Sequence, residues 1–263
     1  MKKFILLLFL IAGNGFLANA THVIGGFIAY KQLERNMYEF SAHIFFDGAG
    51  VPTDQEVEMS VNGVLKSVKL GKTEVLNPSS PLAERTIKGI YSTTYTLDNE
   101  GIPFLSGAFY RIGVRIRNRN PNTANIPNSV NVPFYIESLL SVSQSNNSVV
   151  FEDKNVVIFA KVGSPLQLNN IVKDPDNDQI TFAIDAPFRD VATRIEGYST
   201  PDRTACNNCT LSINANSGEL IWQTPSQTGS YVITLRIDEW RTIAGIRTRV
   251  GTVYRDIQVY ITN

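Results

Sequence analysis

"YEFSAHIFFD" (Tyr38–Asp47) decides the class of this fold. Tyr38, Phe40, Ala42, Ile44 and Phe46 fall on one side of an extended chain, and Glu39, Ser41, His43, Phe45 and Asp47 on the other. Side chains of a strand point alternately to two faces, so this period predicts a strand with one buried face. The pattern recurs along the chain. "GAFYRIGVRIRN" sets Tyr110, Ile112, Val114 and Ile116 against Arg111, Arg115 and Arg117, and "GSYVITLRIDEW" puts Tyr231, Ile233, Leu235 and Ile237 on one face. In "EMSVNGVLKSVKL", Asn62-Gly63 separates two strand-like runs, and this dipeptide tolerates the positive φ angles of a tight hairpin. Turn residues punctuate such runs at short intervals, and no long stretch carries helical apolar spacing. The expectation is an all-β protein of antiparallel β-sandwiches.

Around "SLLSVSQSNNS" (Ser138–Ser148) the chain turns rich in Ser and Asn and, past Glu137, loses its charge, which predicts a domain junction. Two tandem sandwiches are expected, at 21–140 and 141–263. Before them, Lys2-Lys3, the apolar run "FILLLFLIAG" and Ala18-Asn19-Ala20 read as a secretory signal peptide, 1–20, cleaved after Ala20. No second long apolar stretch follows, so no stable membrane span is expected after cleavage. Of 263 residues 243 then remain, with 22 Lys and Arg against 24 Asp and Glu, a formal charge of −2. That balance excludes a nucleic-acid binder, which needs a strong positive field. The expected location is the periplasm, the outer cell surface or the medium.

"DPDNDQITFAI" (Asp174–Ile184) places Asp174, Asp176 and Asp178 at alternate positions ahead of a strand-like run. Calcium takes several hard oxygen ligands, so these are candidate calcium ligands, although the spacing is not that of a helix-loop-helix site. The alternative is a solvated turn whose Asp side chains cap backbone N–H groups. Close carboxylates repel without a cation, which favours an ion. Cys206 and Cys209, in "CNNC", are expected to form a disulfide after export, clipping a loop rather than holding the fold. A redox dithiol or a zinc site is the sharper reading, without the helix or the further ligands each needs. The two histidines, His22 and His43, read as structural or surface residues. Arg111, Arg115 and Arg117 form either a solvated basic stripe or a site for an acidic glycan. No nucleophile elbow, zinc-protease, phosphate-loop or dinucleotide motif occurs.

"THVIGGFIAYKQL", "MYEFSAHIFFD" and "NIPNSVNVPFYIES" (Asn125–Ser138) resemble the opening module of exported Bacteroidetes surface proteins associated with gliding and type IX secretion. "DPDNDQITFAI", "INANSGELIWQTPSQTGSYVITLRIDEWR" and "YRDIQVYI" are similar to their cadherin-like or immunoglobulin-like second module. The chain departs from that pattern at Phe27, where an acid often follows the paired glycines, and after "FFDGAG", which lacks a cysteine. The resemblance implies calcium at a domain junction, held by acids from distant segments. Glu152 and Asp153 open the second module, Asp238 and Glu239 close one of its strands, and Glu152, Asp153 and Asp238 stand as partners of the triplet. It also implies a non-enzymatic structural or adhesion protein that meets a protein or glycan at a cell surface. A carbohydrate-binding module is the second reading, with Trp222, Trp240 and the tyrosines as candidate platform and Trp222 more suited to a core; a glycan hydrolase is the third.

Overall fold

A computed structural model describes residues 23–47, 56–76, 86–99, 101–102, 107, 109–152, 157–170, 172–206 and 209–263. The leader with its cleavage position, His22 and Asp153 lie outside these residues. The protein is all-β, in antiparallel sheets that curl into a sandwich-like arrangement.

The expected periods become strands. β1 (Val23–Glu34), β2 (Met37–Asp47), β6 (Thr86–Thr96) and β5 (Lys72–Val75) pair in that order. Against them curl β4 (Val64–Lys69), β3 (Glu56–Val61), β7 (Phe109–Ile116) and β8 (Phe134–Ser141). Asn62 and Gly63 turn β3 into β4 with φ of 47° and 87°. Between the two groups lies a first core, which holds Tyr38, Phe40, Ala42, Ile44 and Phe46 with Tyr110, Ile112, Val114 and Ile116.

The later strands build a second core. β13 (Gln179–Asp185) pairs β18 (Gly229–Ile243), which turns at Ala244-Gly245 into β19 (Ile246–Thr262). A small sheet of β11 (Leu166–Asn169), β17 (Glu219–Trp222) and β16 (Leu211–Ile213) faces them. Tyr231, Ile233, Leu235 and Ile237 meet Trp222 and Leu220 there.

One sheet runs through strands on both sides of 140/141. One edge of β19 runs along β18, while the other is shared by strands from both halves. β8 pairs with it at Gly251–Val253, β1 at Arg255–Asp256, and β10 (Val157–Lys161) runs parallel to it at Gln258–Thr262. Ile24, Phe27 and Phe45 of the early strands enter the second core, and Tyr254 of β19 enters the first. The cause is length: at about 3.4 Å per residue, a strand of 17 residues outruns a single sandwich and must find partners in the neighbouring one.

Close packing at this seam explains the paired glycines of "VIGGF". A Cβ on Gly25 would strike the backbone carbonyl of Asp256, and one on Gly26 would lie 2.7 Å from the carbonyl oxygen of His43. The connector after β7 crosses the seam as well. Asn125 Nδ2 donates to Val232 O at 2.8 Å and Asn125 Oδ1 accepts from Val232 N at 2.9 Å, so one side chain serves as a strand edge for β18. Arg119, 4% exposed, sits 2.8 Å from Asp256, which also accepts from Thr234 Oγ1 at 2.7 Å.

Candidate functional site: an acidic clamp on the junction segment

The Ser/Asn-rich segment after β8 is fastened at almost every residue. Ser148 and Tyr30 exchange two bonds: Tyr30 N donates to Ser148 Oγ at 2.9 Å and Ser148 N to Tyr30 O at 2.9 Å. Gln32 N donates to Asn147 Oδ1 at 3.0 Å. The acids hold the other side. Asn147 gives its backbone N–H to Asp176 Oδ2 at 2.7 Å and its side-chain amide to Asp176 Oδ1 at 3.0 Å.

Asp174, Asp176 and Asp178 do converge, with carboxylate oxygens within 4.8 Å of one another. Asp174 follows β12 (Val172–Lys173), which pairs with β9 (Val150–Phe151). Its Oδ1 accepts from the backbone N–H of Asp176 at 2.8 Å and of Asp178 at 3.0 Å, which folds the loop over itself. Asn177 takes a φ of 61° to complete that turn. Arg241 enters from β18. Its Nε and Nη2 each lie 2.6 Å from the two oxygens of Asp178, and Nη2 is 3.6 Å from Asp176. The same guanidinium donates to Ser145 O at 2.6 Å and Asn146 Oδ1 at 3.1 Å. A bidentate Arg–carboxylate fork is a strong, directional contact, and here it also supplies the countercharge that a triplet of acids requires.

Behind the triplet lies Glu239, fully buried. Its Oε2 accepts from Tyr30 Oη at 2.9 Å and Asn146 Nδ2 at 2.7 Å, and its Oε1 accepts from Val149 N at 2.7 Å. Burial pushes its carboxyl up to about 8, with the nearby Asp174 charge adding to the rise. At neutral pH its proton has a place to go: donated to Tyr30 Oη, whose own hydroxyl can turn to Leu139 O at 3.4 Å. Burial also raises the Tyr30 phenol and the Asp174 carboxyl, while the hydrogen bond to Asp178 raises Arg241. Gly251 makes room for this group, since a Cβ there would collide with Glu239 Oε2 and Tyr30 Oη.

Of the other expected ligands, Glu152 and Asp238 do not join the cluster. Glu152 pairs with Lys173 at 2.6 Å. Asp238 points to the opposite face of β18, where it accepts from Thr252 Oγ1 at 2.8 Å and Arg236 Nε at 3.1 Å, with Arg249 at 3.7 Å. Strand alternation puts its neighbour Glu239 beside the triplet instead. As a calcium shell the site fits poorly. Arg241 takes both oxygens of Asp178 and Asn147 takes both of Asp176, which leaves Asp174 Oδ2, buried without a hydrogen-bond partner. Calcium takes six to eight oxygens.

No protein-family model matches the chain, and no curated protein matches it either. The functional reading therefore rests on this geometry.

The remaining candidates have structural surroundings. Cys206 and Cys209 are bonded, with Cα atoms 5.8 Å apart, and Trp222 Nε1 lies 3.3 Å from Cys209 Sγ, so the bridge lids the second core. Trp222 is buried there, and Trp240 carries the Arg247 guanidinium 4.0 Å over its ring, so neither tryptophan offers an open platform. The basic stripe is largely neutralised: Arg111 pairs with buried Glu137, and Arg115 lies 3.8 Å from Asp190. His43 is half-buried, and its ring stacks on Phe27 at 4.5 Å. Burial lowers its imidazole to about 3, so it is neutral. No helix among the described residues is long and apolar enough to cross a membrane.

Proposed function

We propose that this is an exported, non-enzymatic structural or adhesion protein of a bacterial cell envelope or surface, acting as one stiff body that presents its loops to a protein or glycan. The observation that carries the reading is the clamp on the junction. Ser145 to Val149 are tied to β1, β18 and the Asp174–Asp178 loop by charged and amide groups, and β19 is shared across the same seam. An enzyme gains from a mobile cleft between lobes, whereas a spacer or adhesin gains from suppressing that motion. The test is to fractionate producing cells, sequence the mature N-terminus and shave intact cells with protease. Cleavage after Ala20 and release from the envelope are expected. A cytoplasmic protein that keeps its leader would overturn the reading.

Calcium enters this proposal as a competitor for the clamp. The convergence of three carboxylates and the unpartnered Asp174 Oδ2 favour some cation affinity. Thermal melting with calcium and with chelator decides it: a midpoint raised by several degrees would show that the ion binds the folded state.

A further inference from the structure

One groove of about 370 Å³ lies on the outer face of β1 and β2, walled by the segment that the clamp holds in place. Its floor carries two cross-strand pairs, Ala29 with Ser41 and Lys31 with Glu39, with His43 at the end away from Lys31. Its far wall is Val150 of β9, 52% exposed, and Pro175 of the acidic loop. Lys31 and Glu39 are opposite charges on directly facing positions, yet neither enters an ion pair among the described residues. Glu39 accepts only a long bond of 3.5 Å from Ser41 Oγ. At the other end, His43 Nδ1 is buried with no hydrogen-bond partner. Polar groups that line a concave site and lack partners are the ones that orient a ligand.

We infer that this groove is a binding site for a short neutral oligosaccharide. Sugar hydroxyls both donate and accept, so a diol satisfies a carboxylate and an ammonium together, donating to Glu39 and accepting from Lys31. The apolar faces of sugar rings suit Val150, Pro175 and Ala29. Glu39 and His43 stand roughly 14 Å apart along β2, longer than one amino acid zwitterion and long enough for more than one sugar ring. A polyanion is disfavoured because the two charges cancel. An extended peptide is disfavoured because the floor is a sheet face whose backbone groups are already paired with β1 and β6. The inference deepens the adhesive reading by naming its ligand class and place. The contact chemistry stands whether or not the protein is displayed on a surface.

Titration calorimetry and NMR chemical-shift mapping of the full mature protein test this, with β1,4-linked dimers and trimers of glucose, mannose and N-acetylglucosamine as probes. Binding with Kd on the order of 0.1–1 mM is expected, with shifts centred on Ala29, Ser41 and Val150. Glu39→Gln and Lys31→Met should each weaken it about tenfold or more, because each removes a charge-assisted hydrogen bond. Both side chains lie on the sheet surface, and an unchanged melting midpoint will show that the variants fold. Lys69→Met, at a distant exposed pair with Glu56, should leave affinity unchanged. No binding by any of these sugars, shifts elsewhere on the molecule, or binding of free amino acids or dipeptides in their place would each overturn the assignment. Such a failure leaves the adhesion proposal standing. An intracellular location would do the reverse.

Discussion

Replacing Arg241 by Met removes the one cation among the described residues in contact with the acidic triplet while keeping a long apolar stem. The Asp178 side chain is 3% exposed, and its two oxygens would lose both fork bonds. Ser145 O and Asn146 Oδ1 would lose their donors as well. Removing one partner of a buried pair costs about 3–5 kcal/mol, because the other charge stays buried and uncompensated. The Arg241 side chain is 25% exposed, so water can enter the vacated space, and a loss of about 2–4 kcal/mol is the better expectation. At roughly 2–4 °C per kcal/mol for a chain of this size, the melting midpoint should fall by roughly 4–16 °C. The assay is equilibrium urea unfolding of both proteins from pH 7 down to pH 4. The variant's deficit comes from uncompensated acidic charge, so it should narrow as acid protonates Asp174, whose carboxyl burial raises. Adding Asp178→Asn to Arg241→Met should recover part of the loss, and calcium should raise the variant's midpoint more than that of the parent. Arg241→Lys keeps the charge but not the fork and should fall between the two. A deficit under about 1 kcal/mol that does not change with pH would refute the clamp.

Three further outcomes follow from the same seam. Gly251→Ala drives a methyl into Glu239 and Tyr30 and should cost about 3 kcal/mol or more in denaturant unfolding; a neutral result would mean the network is loose. Glu239 has a folded pKa near 8, above the 4.5 of the free group, so its contribution is complete below about pH 4.5 and is lost as pH rises through 8. Stability measured from pH 5 to 9 should therefore decline, by a few kcal/mol at most, and Glu239→Gln should flatten that slope. Reducing the Cys206–Cys209 bridge closes no large loop and should cost about 2 kcal/mol, seen as a drop of several degrees in a melt with reductant; unfolding at room temperature would contradict it.

The strands were legible in the sequence because burial on one face forces a period of two. Tyr38 through Phe46, Tyr110 through Ile116 and Tyr231 through Ile237 all take the faces that alternation assigns. What the period does not carry is which strand sits beside which. "YRDIQVYI" reads the same whether its edge meets β10 alone or, as it does, β1 and then β10. The misjudged ligand has the same origin. Asp238 and Glu239 are equivalent as acids in a sequence, but adjacent strand residues point to opposite faces. The β13–β18 register, with Gln179 opposite Trp240 and Ile180 opposite Glu239, is what puts Arg241 and Glu239 on the side of Asp178, and the sequence does not carry that register.

The junction shows why an uncharged Ser/Asn run need not be a hinge. Asn146 and Asn147 each carry an amide that donates and accepts at once, which suits a segment wedged between a carboxylate on one side and a backbone on the other. Asn147 uses both functions, donating to Asp176 and accepting from Gln32 N. Asn146 does the same between Glu239 and Arg241. A flexible linker leaves such groups to water and gains nothing from their spacing. Here they convert a polar stretch into a heavily bonded crossing between the two cores. That rigidity fixes the Pro175 and Val150 wall at a set distance from β2, so the groove's width depends on the clamp, and loosening Arg241 should weaken ligand binding at Glu39 without touching the groove itself.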